Sequence, residues 1–357
     1  MRKVAIIGTQ GIPAHYGGFE TLAENLVRKK HNDQIEYSVF CSSKDLQTSD
    51  SDFLGARLKY INLHSNGVQS IIYDIISMVR CIRGYDALLI LGVSGCVFTP
   101  ILKVLTRSRI IVNIDGLEHK RQKWGRMAKW FLRLSEKMAV KYADTIIADN
   151  QGIEEYVQKT YSKHAVMIEY GGDHTLMDVS QEKEREVLEQ FGLTKGEYAL
   201  SICRIEPENN VDMVLDVFAR TKQEIAIVGN FQNNEYSRNL RDKYYCHPNI
   251  HIIDACYDLE TLYALRRNAG YYVHGHSAGG TNPSLVEAMH FGIPIITFDV
   301  NYNRFTTNNE AEYFENGGQL EVLLGKQRKP SGAAMRKYAN ENYRWDTISQ
   351  KYEQLFL

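Results

Sequence analysis

The sequence has no long apolar run, almost no net charge and no closely spaced pair of cysteines. Its longest uncharged run, 87–102, is interrupted by Gly92, Gly95 and Pro100, so it predicts strand, loop and helix rather than a membrane span. A formal net charge of -1 argues against nucleic acid as the main partner. The amino-terminal MRKVAIIG has too short an apolar run to predict a signal peptide.

The bulk composition is that of a globular protein. The chain has 357 residues, 44% of them hydrophobic and 24% charged, which predicts two domains. Its six cysteines are scattered without a CxxC spacing, and they predict reduced thiols in a cytoplasmic protein. No cluster of histidine and cysteine predicts a zinc site. Asp50 and Asp52 have the DxD spacing of metal-dependent sugar transferases, but they lie in the polar stretch SKDLQTSDSD, which favours a surface loop.

Short apolar runs alternate with amphipathic helical patterns along the whole chain. The predicted strands are 3–8, 35–40, 57–61, 87–91, 110–114, 145–148 and 166–169, followed by 198–203, 224–228, 250–253, 270–274 and 295–298. This alternation predicts the α/β class, with two Rossmann-like, doubly wound parallel sheets. We place the domains at 1–177 and 178–343, and we expect a last helix, 344–357, to pack back on the first.

A glycine-rich loop, GTQGIPAHYGGFE (8–20), follows the first predicted strand and opens a helix. Ligands of open α/β sheets bind at this edge, and Gly17 and Gly18 let the backbone approach one closely. Glu20 falls in the first turn of the helix. The spacing is not GxGxxG, which disfavours a nicotinamide dinucleotide. A tight turn without a ligand is the alternative interpretation.

A second loop between a strand and a helix, CRIEPENN (203–210), carries a single cation. Arg204 is placed for a charge-assisted contact to a diphosphate. The alternative is a surface salt bridge with Glu206 or Glu208.

The segment YYVHGHSAGGTNPSLVEAMHFG (271–292) predicts a strand, a loop of small residues and a helix. Pro283 suits the first helical turn and Gly292 the end. Loop amides and the helix amino terminus then predict a phosphate or diphosphate site. The residues expected to bind this anion are Gly279, Gly280, Thr281, Asn282 and Ser284. His274 and His276 border the site, unless they are ordinary polar loop residues, and Glu287 faces either the core or a ligand.

The segment 113–137, NIDGLEHKRQKWGRMAKWFLRLSEK, follows another predicted strand. Asp115, Glu118 and His119 are candidates to orient or deprotonate an acceptor hydroxyl. The next helix places Trp124, Met127, Phe131, Leu134 and Met138 on one stripe, which is most simply a core face. Arg126, Lys129, Arg133 and Lys137 lie on another face, with Trp130 among them. A basic face with an aromatic predicts contact with anionic headgroups, or else a solvated helix face.

These motifs together resemble retaining glycosyltransferases of family 4, which have the GT-B fold. GTQGIPAHYGGFETLAENL, DGLEHKRQKW, RIEPENN and HGHSAGGTNPSLVEAM are similar to bacterial rhamnosyltransferases of cell-surface polysaccharide assembly. The resemblance covers essentially the whole chain. It implies an acceptor-binding first domain and a nucleotide-sugar-binding second domain that face each other across a cleft.

The resemblance also implies residue roles. Arg204 matches the diphosphate-binding arginine of the family, Glu287 matches the glutamate that binds the ribose, and Gly17 and Gly18 match the glycine loop near the donor phosphates. Two positions depart from the common pattern, because Asn209 stands where a lysine is common and Gly279 where a glutamate is common. The departures resemble the rhamnosyltransferase branch, since a 6-deoxy sugar offers no 6-hydroxyl. His276, Thr281 and Asn282 are candidates to replace the missing contacts.

The expected activity is metal-independent, retaining transfer of a hexose, L-rhamnose from dTDP-L-rhamnose, to a lipid-diphosphate-linked sugar. The catalytic candidates are Arg204, Asp115, Glu118 and His276, with no cofactor beyond the donor. The expected location is cytoplasmic, on the inner face of the cytoplasmic membrane. The alternatives are a family 4 enzyme that uses UDP-glucose, UDP-galactose or UDP-GlcNAc, a nucleotide-sugar 2-epimerase, and a non-catalytic sensor of sugar nucleotides.

Overall fold

The computed structural model describes residues 1–15, 17–46, 50–121, 124–326 and 331–357, which form two compact units. The first unit comprises Met1–Tyr170 and Trp345–Leu357, and the second comprises Gly171–Arg344. Each unit is a Rossmann-like sheet with helices packed on it, so the predicted α/β class is confirmed.

The first unit contains eight strands and six helices among the described residues. The strands are β1 (Arg2–Ile7), β2 (Ile35–Ser42), β3 (Asp52–Phe53), β4 (Ala56–Ile61), β5 (Ala87–Leu91), β6 (Arg109–Asn113), β7 (Thr145–Ala148) and β8 (Val166–Met167). The helices are α1 (Gly18–Arg28), α2 (Gln69–Arg80), α3 (Thr99–Leu105), α4 (Arg126–Tyr142), α5 (Gln151–Tyr161) and, at the end of the chain, α14 (Trp345–Phe356). The sheet order is β3-β4-β2-β1-β5-β6-β7-β8, and only β3 is antiparallel to its neighbour.

The second unit contains six strands and eight helices among the described residues. The strands are β9 (Tyr198–Ile202), β10 (Glu224–Gly229), β11 (Ile250–Asp254), β12 (Tyr271–His274), β13 (Ile295–Phe298) and β14 (Glu312–Phe314). The helices are α6 (Gln181–Phe191), α7 (Val211–Arg220), α8 (Glu235–Tyr244), α9 (Leu259–Asn268), α10 (Pro283–Phe291), α11 (Asn301–Thr306), α12 (Gly317–Leu324) and α13 (Gly332–Asn342). The sheet order is β11-β10-β9-β12-β13-β14, with every neighbouring pair parallel.

The central strands are continuous apolar runs because helices cover both faces of each sheet. Ala87–Leu91 is buried along its whole length. In β9 of the second unit, neighbouring residues lie in different hydrophobic clusters: Leu200 lies in one cluster and Ala199 in the other. This alternation follows from the two-residue period of side chains along a strand. All twelve predicted strands are present, and β3, β14, α11 and α13 are additional.

The chain passes from the first unit to the second after Tyr170, earlier than the predicted boundary at 177. The reason is local, because the amide of Gly172 donates to the carbonyl oxygen of Tyr343 and so joins the end of the second unit at 2.9 Å. Helix α14 belongs to the first unit, where the Trp345 and Tyr170 rings meet edge to face with centroids 4.7 Å apart.

The predicted core stripe of α4 is wrong. Met127 is 81% exposed, and the buried residues of the helix are Leu132, Ser135, Glu136, Ala139 and Val140. Hydrogen bonding decides the orientation, because the Ser135 hydroxyl accepts from the Val97 amide at 2.8 Å and donates to the carbonyl oxygen of Val93. A pattern of apolar residues does not reveal such buried polar contacts.

Candidate functional site

The direction of strand order reverses between β9 and β12 in the second unit. The loops that follow these neighbouring strands, 203–210 and 275–282, therefore leave the sheet side by side. Such a switch point at the carboxyl ends of parallel strands is where open α/β sheets bind ligands. Two motifs about 70 residues apart in sequence are thus brought together by topology.

Hydrogen bonds join the two loops directly. The amide and hydroxyl of Ser277 both donate to the carbonyl oxygen of Glu208, at 2.9 and 2.8 Å. Asn210 donates from its side-chain amide to the carbonyl oxygen of Gly275 at 2.8 Å. A Cβ atom on Gly275 would lie 2.3 Å from the carbonyl oxygen of Asn209, so only glycine allows this approach. The two loops therefore form one hydrogen-bonded platform.

Arg204 lies on this platform as an exposed side chain. The alternative interpretation, a salt bridge with Glu206 or Glu208, is not observed within the described part of the chain. Glu206 instead lies near the side-chain amides of Asn233 and Asn234, and Glu208 is buried. The guanidinium is therefore available to an anionic ligand.

Asn209, which stands where the family commonly has lysine, is buried beneath Arg204. Its side-chain amide donates to the carbonyl oxygen of Arg204 at 2.7 Å. Asn209 therefore shapes the loop that presents the arginine and supplies no charge of its own.

The amino terminus of α10 lies at the end of the second loop. Asn282 occupies the N-cap position and Pro283 the first helical position, with Ser284 half-buried beside them. The Asn282 side chain accepts no capping hydrogen bond from any described residue, so the positive end of the helix remains available to an anion. Gly279 has a φ of 130°, which favours glycine, and an added Cβ would contact the Asn282 side chain at 3.6 Å.

The other predicted residues of this loop are largely buried: Gly280, Thr281 and His276. The carbonyl oxygen of His276 accepts from the side-chain amide of Asn303 at 2.9 Å, which ties the loop to α11. Its imidazole stacks on that of His274, with ring centroids 4.1 Å apart and planes 6° from parallel.

His274 is the buried partner in this stack. It is 1% exposed, and neither ring nitrogen has a hydrogen-bond partner among the described residues. Burial lowers the pKa of His274 to about 3, so the ring is neutral at physiological pH. His274 therefore contributes no positive charge to the site.

The folded protein is expected to lose stability as the pH falls, through His274. Because its pKa is lowered in the folded state, the contribution is fully present above about 6.5 and is lost as the pH approaches 3. In His274→Phe, which keeps an aromatic ring, this part of the pH dependence should vanish. The difference in unfolding free energy between the two proteins should shift by about 1.4 kcal/mol per pH unit in urea titrations between pH 6 and 4. Parallel pH profiles of the unfolding free energy in the wild type and in His274→Phe would contradict this prediction.

Glu287 lies between the core and the surface. Its side chain is 13% exposed, and one carboxylate oxygen forms an ion pair with Arg266 of α9. The other lies 3.6 Å from Nε2 of His174. Glu287 therefore faces both core and surface, and a ribose contact stays a prediction.

The glycine-rich loop of the first unit follows β1, at the switch point between β1 and β5. Carboxylates of α1 hold it: Glu20 accepts from the Gln10 amide at 2.7 Å and Glu24 accepts from the Ala14 amide at 2.6 Å. Burial raises the pKa of Glu20 to about 7. Gly17 has a φ of 121°, and an added Cβ would lie 1.9 Å from a Glu20 oxygen, whereas Gly18 begins α1. Tyr16 lies outside the described residues.

The three acceptor candidates after β6 are held by other side chains. Asp115 adopts a φ of 58°, with an oxygen 4.0 Å from Arg121. The two oxygens of Glu118 accept from Arg121 at 2.9 Å and from the indole of Trp124 at 3.0 Å.

His119, the third candidate, is buried, and its Nδ1 lies 2.9 Å from Glu136. Tyr156 and Tyr161 also donate to Glu136, each at 2.7 Å. Burial acts to raise the pKa of Glu136, but the hydrogen bonds from His119 and the two tyrosines outweigh it and lower the pKa. The acceptor role of these residues stays a prediction, and Gln122 and Lys123 lie outside the described residues.

The basic face of α4 is exposed. Trp130 is 65% exposed, Arg126 and Arg133 are exposed, and Lys129 is half-buried. The neighbouring helix α3, which packs against α4, exposes three further apolar side chains: Ile101, Val104 and Leu105. Apolar and basic side chains are therefore both exposed on this pair of packed helices.

The described residues contain no group of three or more histidine, cysteine, aspartate or glutamate side chains arranged to hold a metal ion. Asp52 lies in β3, where its carboxylate accepts from the Gly55 amide at 3.1 Å, and residues 47–49 of the predicted loop are outside the described part. None of the described helices has the length and apolar character needed to cross a membrane.

A polar groove against β1, β2 and β4 of the first unit is lined by Lys3, Glu36, Arg57 and Arg83, among others. It contains none of the predicted site residues. Since open α/β sheets bind ligands at switch points, the two switch points carry more weight than this groove.

Two different family models match the two parts of the chain. Residues 182–317 match the model described as glycosyl transferases group 1, and residues 1–173 match a domain of unknown function, DUF1972. The range that matches the glycosyl transferases group 1 model includes both loops of the platform and all of α10. No curated protein matches the chain.

Solved structures resemble the whole chain at low sequence identity. Sucrose-phosphate synthase from Thermosynechococcus elongatus has a TM-score of 0.80 at 16% identity, covering 100% of this chain and 98% of that one. Anabaena HepE in complex with UDP-glucose has a TM-score of 0.76 at 14% identity, covering 99% of each chain. The catalytic domain of starch synthase IV from Arabidopsis thaliana, bound to ADP and acarbose, has a TM-score of 0.73 at 11% identity, covering 99% and 98%. These likenesses confirm the GT-B fold.

Sequence reasoning missed three residues that shape the site: Arg266, His174 and Asn303. Arg266 had a detectable signal, because it occupies the apolar stripe of α9 with Leu262, Leu265 and Ala269. A charged residue on such a stripe predicts a buried ion pair. Neither His174 nor Asn303 had a comparable pattern.

Proposed function

We propose that this protein is a retaining glycosyltransferase that moves a hexose from a nucleotide sugar to a lipid-diphosphate-linked sugar in cell-surface polysaccharide synthesis. One observation carries the proposal: Arg204 and the amino terminus of α10 border one platform at the switch point of a group 1 domain. The resemblance to rhamnosyltransferases supports dTDP-L-rhamnose as the donor.

The platform suits the leaving group of this reaction. As the bond between the anomeric carbon and the diphosphate oxygen breaks, negative charge grows on the diphosphate. Arg204 and the amides between Gly279 and Ser284 would stabilise that charge, and no metal ion is expected to take part. The acceptor oxygen attacks the anomeric carbon from the same face, and its proton passes to a donor phosphate oxygen. His276, Thr281 and Asn282 would bind the sugar and phosphate.

The first unit would bind the acceptor. Gly17 and Gly18 would approach the donor phosphates and acceptor, and Asp115, Glu118 and His119 would contribute the polar contacts. Since the oxygens of Glu118 already accept hydrogen bonds, we assign it an orienting role rather than that of a base.

UDP-glucose is the second candidate donor, because HepE, which has the same fold, is in complex with UDP-glucose. UDP-galactose and UDP-GlcNAc belong to the same alternative. A nucleotide-sugar 2-epimerase would instead isomerise the donor without an acceptor, and a sensor would bind it unchanged.

The deciding experiment is a donor screen by nucleotide release. The protein is mixed with dTDP-L-rhamnose, UDP-glucose, UDP-galactose, UDP-GlcNAc or GDP-mannose, with and without a short-chain lipid-diphosphate-GlcNAc. We expect acceptor-dependent release of dTDP from dTDP-L-rhamnose. Acceptor-dependent nucleotide release from another donor would mean that the enzyme transfers a different sugar. Isomerisation of the donor in the absence of acceptor would establish the epimerase. Binding without any turnover would contradict the transferase.

We further propose that α3 and α4 hold the enzyme on the inner surface of the membrane. Arg126, Lys129 and Arg133 would attract anionic headgroups while Trp130 enters the interface. We expect Trp130→Ser to weaken binding to vesicles of phosphatidylglycerol and phosphatidylcholine severalfold in co-sedimentation. Tyr245→Ser, which removes an equally exposed aromatic of the second unit, is the matched control. Equal losses of vesicle binding in both variants would contradict membrane contact through α3 and α4.

A further inference from the structure

Arg266 is a buried cation at the edge of the candidate donor site. It lies on α9, is 2% exposed, and forms an ion pair with the half-buried Glu287 of α10. Its Nε and Nη1 atoms are buried and have no hydrogen-bond partner within the described part of the chain. The next residue, Arg267, is exposed.

Burial of an incompletely bonded guanidinium is unfavourable, because the charge loses its hydration. An ion pair of this kind is weak evidence for stability, since apolar residues of similar size often replace one without loss. A role in function therefore explains Arg266 better than a role in folding alone.

Glu287 is held from a second direction by the turn that opens the second unit. His174 lies 3.6 Å from the other carboxylate oxygen. Burial lowers the pKa of His174, so it is neutral at physiological pH and Arg266 supplies the positive charge. Gly172 packs closely on this part of α10, and an added Cβ there would lie 3.0 Å from the Glu287 amide nitrogen. The carboxylate is thus confined by α9, α10 and the turn.

We propose that Arg266 is a positioning residue for the donor nucleotide, which holds the Glu287 carboxylate in place to accept from a ribose hydroxyl. The inference rests on the proposed function, because it assigns the nucleoside part of the donor to Glu287. It divides donor binding into two halves. Arg204 and α10 hold the diphosphate, while Arg266 acts through Glu287 on the ribose.

The test measures binding of UDP, dTDP and inorganic pyrophosphate by calorimetry. The variants are Arg266→Met, Arg266→Lys, Glu287→Gln and the double variant Arg266→Met with Glu287→Gln. Arg267→Met is the matched control, because it removes the neighbouring exposed arginine. Pyrophosphate, which lacks the ribose, reports whether the diphosphate half of the site is still folded.

We expect Arg266→Met to weaken binding of the nucleotide by about tenfold, the value of one charge-assisted hydrogen bond, and to leave pyrophosphate unchanged. Arg266→Lys should restore part of the loss. In the double variant, Arg266→Met should weaken nucleotide binding no further than Glu287→Gln does alone, because Arg266 acts through Glu287. Arg267→Met should bind like the wild type.

Three results would overturn the inference: nucleotide affinity within twofold of wild type in Arg266→Met, an equal loss for pyrophosphate, or additive losses in the double variant. Each leaves the proposed function intact as long as the wild-type protein binds a nucleotide. A wild-type protein that binds neither UDP nor dTDP would overturn the proposed function, and the inference with it.

Discussion

Arg204→Ala is expected to lower the turnover of the protein by about 100- to 1000-fold, equivalent to about 3–4 kcal/mol of transition-state stabilisation. The side chain is exposed on the platform and forms no ion pair within the described residues, so its charge is available to the leaving diphosphate. Single-turnover nucleotide release with the donor identified by the screen measures this loss. Thermal unfolding of the same variant should change little, because the guanidinium has no structural partner in the described chain.

Arg185→Ala is the matched control for this experiment, because it removes another exposed arginine of the second unit, on α6. Turnover within tenfold of wild type in Arg204→Ala would show that the assigned role is wrong. An equal loss in both variants would point to general electrostatics rather than to the platform.

Gly8→Ala is expected to destabilise the first unit by about 3–5 kcal/mol. Gly8 directly follows β1 with a φ of 94°, and an added Cβ would lie 2.1 Å from the carbonyl oxygen of Leu91 in the neighbouring strand β5. Backbone strain and a clash with a fixed backbone atom therefore act together. Urea unfolding monitored by tryptophan fluorescence measures the effect.

The chain offers a close control in Gly84→Ala. Gly84 has a φ of 92°, almost the same as Gly8, but an added Cβ would meet no atom within 4 Å among the described residues. This variant carries only the strain, about 1–2 kcal/mol. If both variants lost the same free energy of unfolding, the close approach of Gly8 to Leu91 would contribute nothing to the effect of Gly8→Ala.

The strands were predictable because each is a short apolar run bounded by polar or glycine residues. A parallel sheet with helices on both faces buries nearly every position of its central strands, as at Ala87–Leu91. Strand β14 and helix α11 were not predicted, since each is short and has little periodicity to read.

The α4 prediction failed for a different physical reason. Apolar periodicity favoured a face that includes Met127, whereas the structure buries Ser135 and Glu136. Those polar side chains bind partners from distant segments, Ser135 with Val93 and Glu136 with Tyr161. Only the tertiary fold supplies such partners, so a helix pattern cannot show that burial of these groups is favourable.

Local sequence patterns were sufficient to predict the α/β class, the strands, the two loops around Arg204 and Gly279, and the start of α10. These features depend on local residue types, such as glycine in loops and Pro283 in a first turn. Two other features became visible only in the folded chain: the two loops share one platform, and Arg266 and His174 hold Glu287. The order of strands in a sheet and the partner of a buried charge depend on residues far apart in the chain, and no local pattern encodes either.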